Sequence, residues 1–151
     1  MILDKQNQLS SAQVVTSTAV STNTIDLGTA RDIGAGEELS IAVTVDVSAA
    51  AAGAATVDFQ VISSAAANLS SPTVLSATGP IGKADLAAGR KTIELKVPRH
   101  VLASQPIGQR YIGIQYVVAS GPLNAGSAFS AHVVKDFQDQ KMIYPIGYSL
   151  T

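Results

Sequence analysis

The 151-residue sequence contains no cysteine and no tryptophan, and it is poor in charged and aromatic side chains. The absence of cysteine excludes disulfides, thiol nucleophiles and cysteine-based zinc sites. Charged residues make up 14% of the chain, whereas about 25% is typical of soluble domains. Ten basic and eleven acidic residues leave a net charge of −1. There is no basic run, so we do not expect binding to nucleic acid through phosphate neutralisation.

The sequence also lacks a long apolar run. Its apolar-looking stretches are short and rich in alanine, so we expect no segment that spans a bilayer. The first residues become polar by Asp4, which is not the pattern of a secretory signal. We therefore expect a protein that is made in the cytosol and does not bind membranes.

Small side chains are abundant. The chain has 23 alanines, 16 serines, 11 threonines and 12 glycines, together about two-fifths of its length. The length fits one domain, and a chain of this size buries roughly 68–70% of the surface that it exposes when unfolded. The composition therefore predicts a single domain with a real core and an unusually neutral surface.

Alternation of apolar and polar residues with a period of two is the dominant pattern. It is clearest in residues 39–47, where Leu39, Ile41, Val43, Val45 and Val47 share one face. It recurs in residues 57–61, 91–97 and 129–133, and residues 111–119 are apolar on both faces, as in a central strand. Weaker strands are predicted at residues 12–19, 24–27 and 73–78. We interpret residues 48–55 as a long hairpin loop and residues 83–88 as a single helical turn.

These patterns predict about eight strands and no long helix, which is typical of an all-β sandwich or barrel. The predicted organisation is an N-terminal arm (1–10), a β-sandwich domain (11–135) and a C-terminal tail (136–151). The tail begins with charged and amide side chains and ends with Ile143, Tyr144, Ile146 and Tyr148. Such a tail either packs on its own domain or contacts a neighbouring molecule.

Candidate catalytic groups are sparse. His100, Ser104 and Asp85 could form a triad in principle, but no G-x-S-x-G motif accompanies them. His132 has no second ligand two residues away and is predicted to be a surface or interface side chain that faces away from Phe129. Glu37 and Glu38 are adjacent, so their side chains point to opposite sides of an extended chain. We expect no enzyme activity, no cofactor and no metal site.

Several ordered segments resemble a known family. They are residues 21–28 (STNTIDLG), 30–37 (ARDIGAGE), 57–61 (VDFQV), 110–116 (RYIGIQY) and 119–122 (ASGP). Together they are similar to the small capsid cement, or decoration, proteins of tailed phages, of the kind first described for a Bordetella podophage. The resemblance covers roughly residues 10–135 and does not include the tail. It implies a jelly-roll-like antiparallel β-sandwich on the outer surface of a phage head.

The resemblance also implies the partners. A cement protein of this family would pair with itself, as a homodimer or another symmetric oligomer, and bridge neighbouring copies of the major capsid protein. We predict the contact residues to lie in three regions, the N-terminal tip, the loop 31–38 and the tail. The residues are Ile2, Leu3, Arg31, Asp32, Glu37, Glu38, Ile143, Tyr144, Ile146 and Tyr148.

Two other functions stay open at this point. The first is a carbohydrate-binding or receptor-binding jelly-roll module, which would usually present exposed aromatic side chains, and this chain has no tryptophan. The second is a metal-dependent enzyme of the cupin kind, which needs at least two histidines and a carboxylate close together. His100 and His132 have no such accompanying ligand nearby in the sequence.

Overall fold

The computed structural model describes residues 5–29, 39–89, 92–97 and 109–135. Within these ranges the chain forms ten β-strands and two short 3-10 turns. The strands are β1 (Gln8–Val14), β2 (Ala19–Val20), β3 (Ile25–Asp26), β4 (Ser40–Val47), β5 (Thr56–Ser64), β6 (Thr73–Ala77), β7 (Ile81–Gly82), β8 (Ile93–Lys96), β9 (Tyr111–Ala119) and β10 (Ala128–Val134). The turns are Lys5–Asn7 and Lys83–Asp85. The second turn confirms the single helical turn predicted within residues 83–88.

The strands form two antiparallel sheets. The four-stranded sheet has the order β1-β10-β4-β8, and the six-stranded sheet has the order β2-β9-β5-β6. β3 also pairs with β9, and β7 also pairs with β5. β2 and β3 therefore share one edge of β9, while β6 and β7 share one edge of β5. The ten segments fill eight strand positions, which agrees with the predicted number.

The order of the strands is that of a jelly roll. Along the chain, successive strand positions alternate between the two sheets, except for the step from β5 to β6 within the six-stranded sheet. This alternation closes two Greek keys around one core, which is the arrangement that defines the jelly roll. The predicted all-β, jelly-roll-like antiparallel sandwich is confirmed.

The predicted alternation places the core between the sheets. Ile41, Val43 and Val45 of β4 point inward and are less than 9% exposed, while their polar neighbours point outward. The strand predicted at residues 111–119 coincides with β9, which lies between β5 and the short strands β2 and β3. Period-two alternation thus predicts β4 correctly over most of its length, because one face of the sheet is buried. The run that is apolar on both faces correctly predicts an interior strand for β9.

The first strand departs from the prediction. A single strand was expected at residues 12–19, but β1 ends at Val14 and β2 begins at Ala19, with loop residues 15–18 between them. β1 also begins at Gln8, so the predicted domain boundary at residue 11 falls inside it. Two register shifts interrupt its pairing with β10. Because of these shifts, the consecutive residues Leu9 and Ser10 are both buried. In a regular strand, two consecutive side chains would point to opposite faces.

The interpretation of residues 48–55 as a hairpin loop is wrong. The strands that this loop connects, β4 and β5, belong to different sheets. The loop therefore crosses from one sheet to the other. A hydrophobic pattern shows which face of a strand is buried, but it does not show which strand is its neighbour.

Three aromatic side chains fill the centre of the core. Phe59 and Tyr116 come from the six-stranded sheet and Phe129 comes from the four-stranded sheet, and each is 0% exposed. Phe59 makes edge-to-face contacts with Tyr116 and Phe129, with ring centroids 5.8 Å and 5.4 Å apart. Tyr116 and Phe129 are stacked, with centroids 5.7 Å apart. These rings bring the two sheets into direct contact at the middle of the sandwich.

A hydrogen bond between buried hydroxyl groups also joins the sheets. The hydroxyl of Tyr116 in β9 is hydrogen-bonded to that of Ser10 in β1. Both residues are 0% exposed. Burial raises the pKa of Tyr116 to about 12, the hydrogen bond to Ser10 opposes this rise, and the nearby Asp46 carboxylate adds to it. The tyrosine hydroxyl is thus held in its neutral form inside the core.

A small second cluster covers part of the outer face of the six-stranded sheet. Leu69, in the loop 65–72, is 2% exposed although it lies outside the sandwich core. It packs where Gly113 has no side chain, and a Cβ at residue 113 would overlap a methyl group of Leu69. The same Cβ would lie 2.9 Å from Oγ of Ser21, which accepts a hydrogen bond from the Ile114 amide. Gly113 therefore makes room for the loop.

Replacing Gly113 with alanine is expected to lower the free energy of unfolding by about 1–3 kcal/mol, the usual cost of an overpacked site. The added methyl group must displace both the Leu69 side chain and the Ser21 hydroxyl. Chemical denaturation of the purified variant measures this loss.

Gly82→Ala is the matched control. A Cβ at residue 82 has Asp85 Oδ2 as its nearest neighbour, 3.9 Å away, so stability should change by less than about 0.5 kcal/mol. The cost of Gly113→Ala should also shrink in a Leu69→Ala background, because neighbouring sites that share a clash are coupled. If Gly113→Ala and Gly82→Ala lowered the free energy of unfolding equally, Gly113 would not be needed to make room for the loop.

Candidate functional site

Three loops at one end of the sandwich are joined into a continuous surface, which we call the loop platform. It consists of residues 15–18, 48–55 and 120–127. The amide of Val15 donates to the carbonyl of Ser127 (3.0 Å), and that of Leu123 donates to the carbonyl of Thr16 (2.9 Å). The amide of Asn124 donates to the carbonyl of Ala50 (2.7 Å). These main-chain hydrogen bonds connect all three loops, so the platform is fixed by its own backbone.

Buried side chains anchor the platform to the sandwich beneath it. Val15 is 1% exposed and Leu123 is 3% exposed, and both belong to the hydrophobic core. Ser127 is 2% exposed, and its hydroxyl accepts a hydrogen bond from the Ala50 amide. The Lys83 ammonium group donates to the carbonyl of Ala51. Each of the three loops is therefore held both by its neighbours and by the core.

The exposed part of the platform carries no charge. The loops have the sequences VTST, SAAAAGAA and SGPLNAGS, which contain no ionisable side chain. Residues 16–18, 48, 50, 52–54, 120–122 and 124–126 are exposed. Alanine and glycine lose almost no side-chain entropy when they are buried, and a neutral surface avoids the cost of removing water from a charge. The platform is thus suited chemically to contact with another protein surface.

Two exposed valines lie at the rim of the platform. Val14 is 58% exposed and Val47 is 49% exposed. Each pairs with Ala128 of β10, so the three side chains form a row across β1, β10 and β4. A register shift between Ala128 and Phe129 changes the pairing of β10 with β4 beside Val47. The sequence pattern placed Val47 on the buried face. That prediction is wrong, because the shift turns the Val47 side chain to the outward face.

The opposite end of the sandwich carries an exposed ion pair. Arg110 donates from Nε and Nη2 to the two carboxylate oxygens of Asp26, at 2.7 and 2.8 Å. Its guanidinium group lies over the ring of Tyr111, 5.1 Å from the centroid. The hydrogen bond from Arg110, together with one from the Gly28 amide, lowers the pKa of Asp26 to about 2. At the platform end, by contrast, the charged residues Lys83 and Asp85 lie in the neighbouring 3-10 turn, outside the three loops themselves.

His132 lies on the outward face of β10, opposite to Phe129, as predicted. Burial lowers its pKa, and the nearby Asp46 carboxylate opposes that shift. The carboxylate itself accepts a hydrogen bond from Ser130 (2.6 Å), so the serine is bonded to the acid and the three residues do not have the arrangement of a hydrolase triad. Among the described residues, no group of three His, Cys, Asp or Glu side chains could hold a metal ion.

All of the contact residues predicted from the sequence lie outside the described residues. They are Ile2, Leu3, Arg31, Asp32, Glu37, Glu38, Ile143, Tyr144, Ile146 and Tyr148. His100 and Ser104 also lie outside, whereas Asp85 is in the second 3-10 turn. The loop platform was not identified from the sequence. The available signal was the lack of any ionisable residue in three separate loops, but only the fold brings those loops together.

Most of the chain matches the model of a known protein family. Among the described residues, no helix has the length and apolar character needed to cross a membrane. A search of curated proteins gave no match. The model of the Bbp16 family, a Bordetella phage protein family, matches residues 9–133. This region contains all of the loop platform and nearly all of the sandwich, and we conclude that the chain belongs to the Bbp16 family.

Proposed function

We propose that the protein is a capsid cement protein, which binds the outer surface of an assembled phage head and stabilises it by bridging neighbouring major capsid proteins. Membership of a phage protein family supports a role in the virion. The observation that carries the proposal is the loop platform, a preformed and uncharged surface with Val14 and Val47 exposed at its rim. The platform is the surface that we propose to contact the shell.

The physical basis of the proposal is the low cost of burying such a surface. Association must offset the entropy of ordering loops and side chains at the interface. Hydrogen bonds between the three loops already order the platform, and its alanine and glycine residues have little side-chain entropy to lose. Even a modest area of apolar contact can then make the free energy of binding favourable.

Stabilisation of the shell would follow from mass action. A ligand that binds the assembled state and not its separate parts shifts the equilibrium toward assembly by an amount that grows with its concentration. Many symmetry-related copies would add their effects, and self-association into a homodimer would link two such contacts and increase avidity. Binding of this kind needs neither a cofactor nor nucleic acid. The protein would be made in the host cytoplasm and would remain on the outer surface of the virion.

Introducing a positive charge into the platform tests the proposal. Ala125→Arg and Ala52→Arg place a guanidinium group at exposed positions of two different loops. Burying an unpaired charge in an interface costs several kcal/mol, so we expect the affinity for heads assembled without this protein to fall at least tenfold, or about 1.4 kcal/mol. Co-sedimentation with purified heads measures this affinity.

Ala67→Arg is the matched control, because Ala67 is an exposed alanine in the loop 65–72, which is not part of the platform. It should bind heads like the parent protein, and all three variants should melt at the parent temperature. If both platform variants bound heads as tightly as the parent protein, the platform would not be the surface that contacts the shell. If the parent protein did not bind heads at all, the proposed cement function would be contradicted.

A further inference from the structure

Val14 owes its exposure to an extra residue in β1. Ser10 pairs with Ala131 and Gln13 pairs with Phe129, so three steps along β1 match two steps along β10. An extra residue of this kind, a β-bulge, reverses the face on which the following side chains lie. Ser10 is 0% exposed, and regular alternation from it would also turn Val14 inward. The bulge therefore turns Val14 outward, where it is 58% exposed.

Val47 is turned outward in the same way. Val45 pairs with Phe129 and Val47 pairs with Ala128, the residue before it, so Asp46 is an extra residue of β4. Regular alternation from the buried Val45 would otherwise place Val47 on the core side. The two bulges thus flank β10 at nearly the same level, and each turns one valine outward.

The hydroxyl group of Ser130 joins the two bulges across β10. Its Oγ accepts a hydrogen bond from the Ala12 amide at 2.8 Å and donates one to Asp46 Oδ2 at 2.6 Å. Ala12 lies in the bulged part of β1, between Ser10 and Gln13, and Asp46 is the extra residue of β4. A serine hydroxyl can donate one hydrogen bond while it accepts another. Ser130 therefore holds both bulges with one group.

The bulge in β1 needs such support because its backbone is strained. Ala12 has a φ of 42°, in the left-handed region that glycine adopts more readily than alanine. Strained residues persist only where the surrounding structure holds them, and they are frequent at functional surfaces. Ala12 is two residues from Val14, at the rim of the loop platform. The strain therefore lies where the proposed contact surface begins.

The bulge in β1 also has a structural benefit, which the bulge in β4 does not share. Gln13, turned toward the other sheet, donates to the carbonyl of Val20 at 2.8 Å and accepts from the amide of Thr22 at 3.0 Å. These hydrogen bonds connect β1 to the segment around β2. The outward residues of the β4 bulge, Asp46 and Val47, are both exposed. Contact between the sheets therefore explains one bulge and leaves the other unexplained.

We propose that Ser130 is a positioning residue for the contact surface, and that by holding both bulges it presents Val14 and Val47 to the shell. The facing patch of the major capsid protein would be uncharged and apolar, because an exposed valine gains free energy only when apolar surface is removed from water. The role of the two valines as contacts rests on the proposed cement function. The hold of Ser130 on the bulges does not.

Single introduced thiols test this hold, since the chain has no cysteine. Val14→Cys and Val47→Cys report the direction of the two side chains through their rates of reaction with a maleimide. In a Ser130→Ala background both rates should fall at least about tenfold, because a strand that loses its bulge turns these positions inward. Ser130→Thr keeps the hydroxyl group and should leave both rates at the parent value. Ala67→Cys, in the loop 65–72, is the matched control and should not respond.

Two further substitutions separate the bulges. Glycine adopts the left-handed conformation without penalty, so adding Ala12→Gly to Ser130→Ala should restore the rate at residue 14 and leave the rate at residue 47 low. Asp46→Ala in the parent chain should lower the rate at residue 47 alone. A general loss of stability would instead expose a thiol in the core, so Val43→Cys must stay protected in every background.

Binding to purified heads tests the use of the two valines. Val14→Ala combined with Val47→Ala should lower the affinity at least about tenfold, because apolar contact area is lost on both sides of Ala128. Ser130→Ala should lower the affinity by a similar factor, and Ser130→Thr should bind like the parent protein.

Unchanged rates at residues 14 and 47 in Ser130→Ala would overturn the hold of Ser130 on the bulges. A low rate at residue 14 that Ala12→Gly does not restore would also overturn it. If the double valine variant bound heads like the parent protein while Ala125→Arg bound weakly, the platform would contact the shell without these valines. If the parent protein did not bind heads, the cement function would be contradicted, and the thiol rates would still decide the role of Ser130.

Discussion

Replacing Phe59 with alanine is expected to lower the free energy of unfolding by about 3–5 kcal/mol. Phe59 is 0% exposed and contacts both of the other core aromatic rings edge to face. The substitution removes the transfer free energy of the ring and leaves a cavity between the sheets. It also removes two aromatic pairs, each of which contributes about 0.5–1.5 kcal/mol beyond its buried area.

Urea unfolding followed by circular dichroism measures the loss, and the melting temperature should fall by roughly 10 °C for a domain of this size. Phe59→Leu is the control, because it keeps most of the apolar volume and should cost markedly less. A loss below about 1 kcal/mol for Phe59→Ala, the range of ordinary surface substitutions, would mean that the aromatic cluster does not hold the sheets together.

Alkaline pH is expected to destabilise the fold through Tyr116. The pKa of Tyr116 is raised from 10.0 to about 12 in the folded protein, chiefly by burial. An acid whose folded pKa is raised keeps its full contribution to stability below the unfolded pKa and loses it as the pH rises toward the folded pKa. The free energy of unfolding should therefore fall between pH 10 and pH 12, by up to about 2.7 kcal/mol for a shift of two units.

The same denaturation experiment at pH 9, 10, 11 and 12 measures this loss, and Tyr116→Phe separates it from the titration of other groups. The variant should be less stable than the parent at pH 9, by about 1–3 kcal/mol, because the buried Ser10 hydroxyl loses its partner. The difference between the two proteins should then shrink as the pH rises. A constant difference from pH 9 to pH 12 would show that Tyr116 does not carry the effect.

The sequence predicted the parts of the fold in which one face of a regular strand is buried. β4 and β10 follow their predicted alternation over most of their length, because each lies in the interior of a sheet with one side on the core. β9 lies between other strands, as its two apolar faces predicted. The prediction failed where the pairing is irregular. In β1, two register shifts place Leu9 and Ser10 in the interior together, and period-two reasoning cannot anticipate a bulge.

The sequence did not show which strands are neighbours. The loop 48–55 has the length and composition of a hairpin connection, yet it crosses between sheets. The role of Gly113 was hidden for a similar reason, since the side chain that needs the space, Leu69, belongs to a distant loop. Both features depend on contacts between segments that are far apart in the sequence.

The candidate site was only partly accessible from the sequence. The composition predicted an unusually neutral surface but did not locate its neutral part. The outward positions of the strands include four charged residues, Asp46, Asp58, Glu94 and Lys96. The three uncharged loops of the platform approach one another only when β1, β4 and β9 end at the same edge of the sandwich.

The central claim is that this protein binds an assembled phage head through its loop platform. A cryo-electron microscopy map of heads with the protein bound tests it most directly, because the jelly roll can be oriented in the density by its two sheets. We expect residues 15–18, 48–55 and 120–127, with Val14 and Val47, to face the major capsid protein. Density in which the protein is bound with the platform directed into solvent, or heads without any bound protein, would contradict the claim.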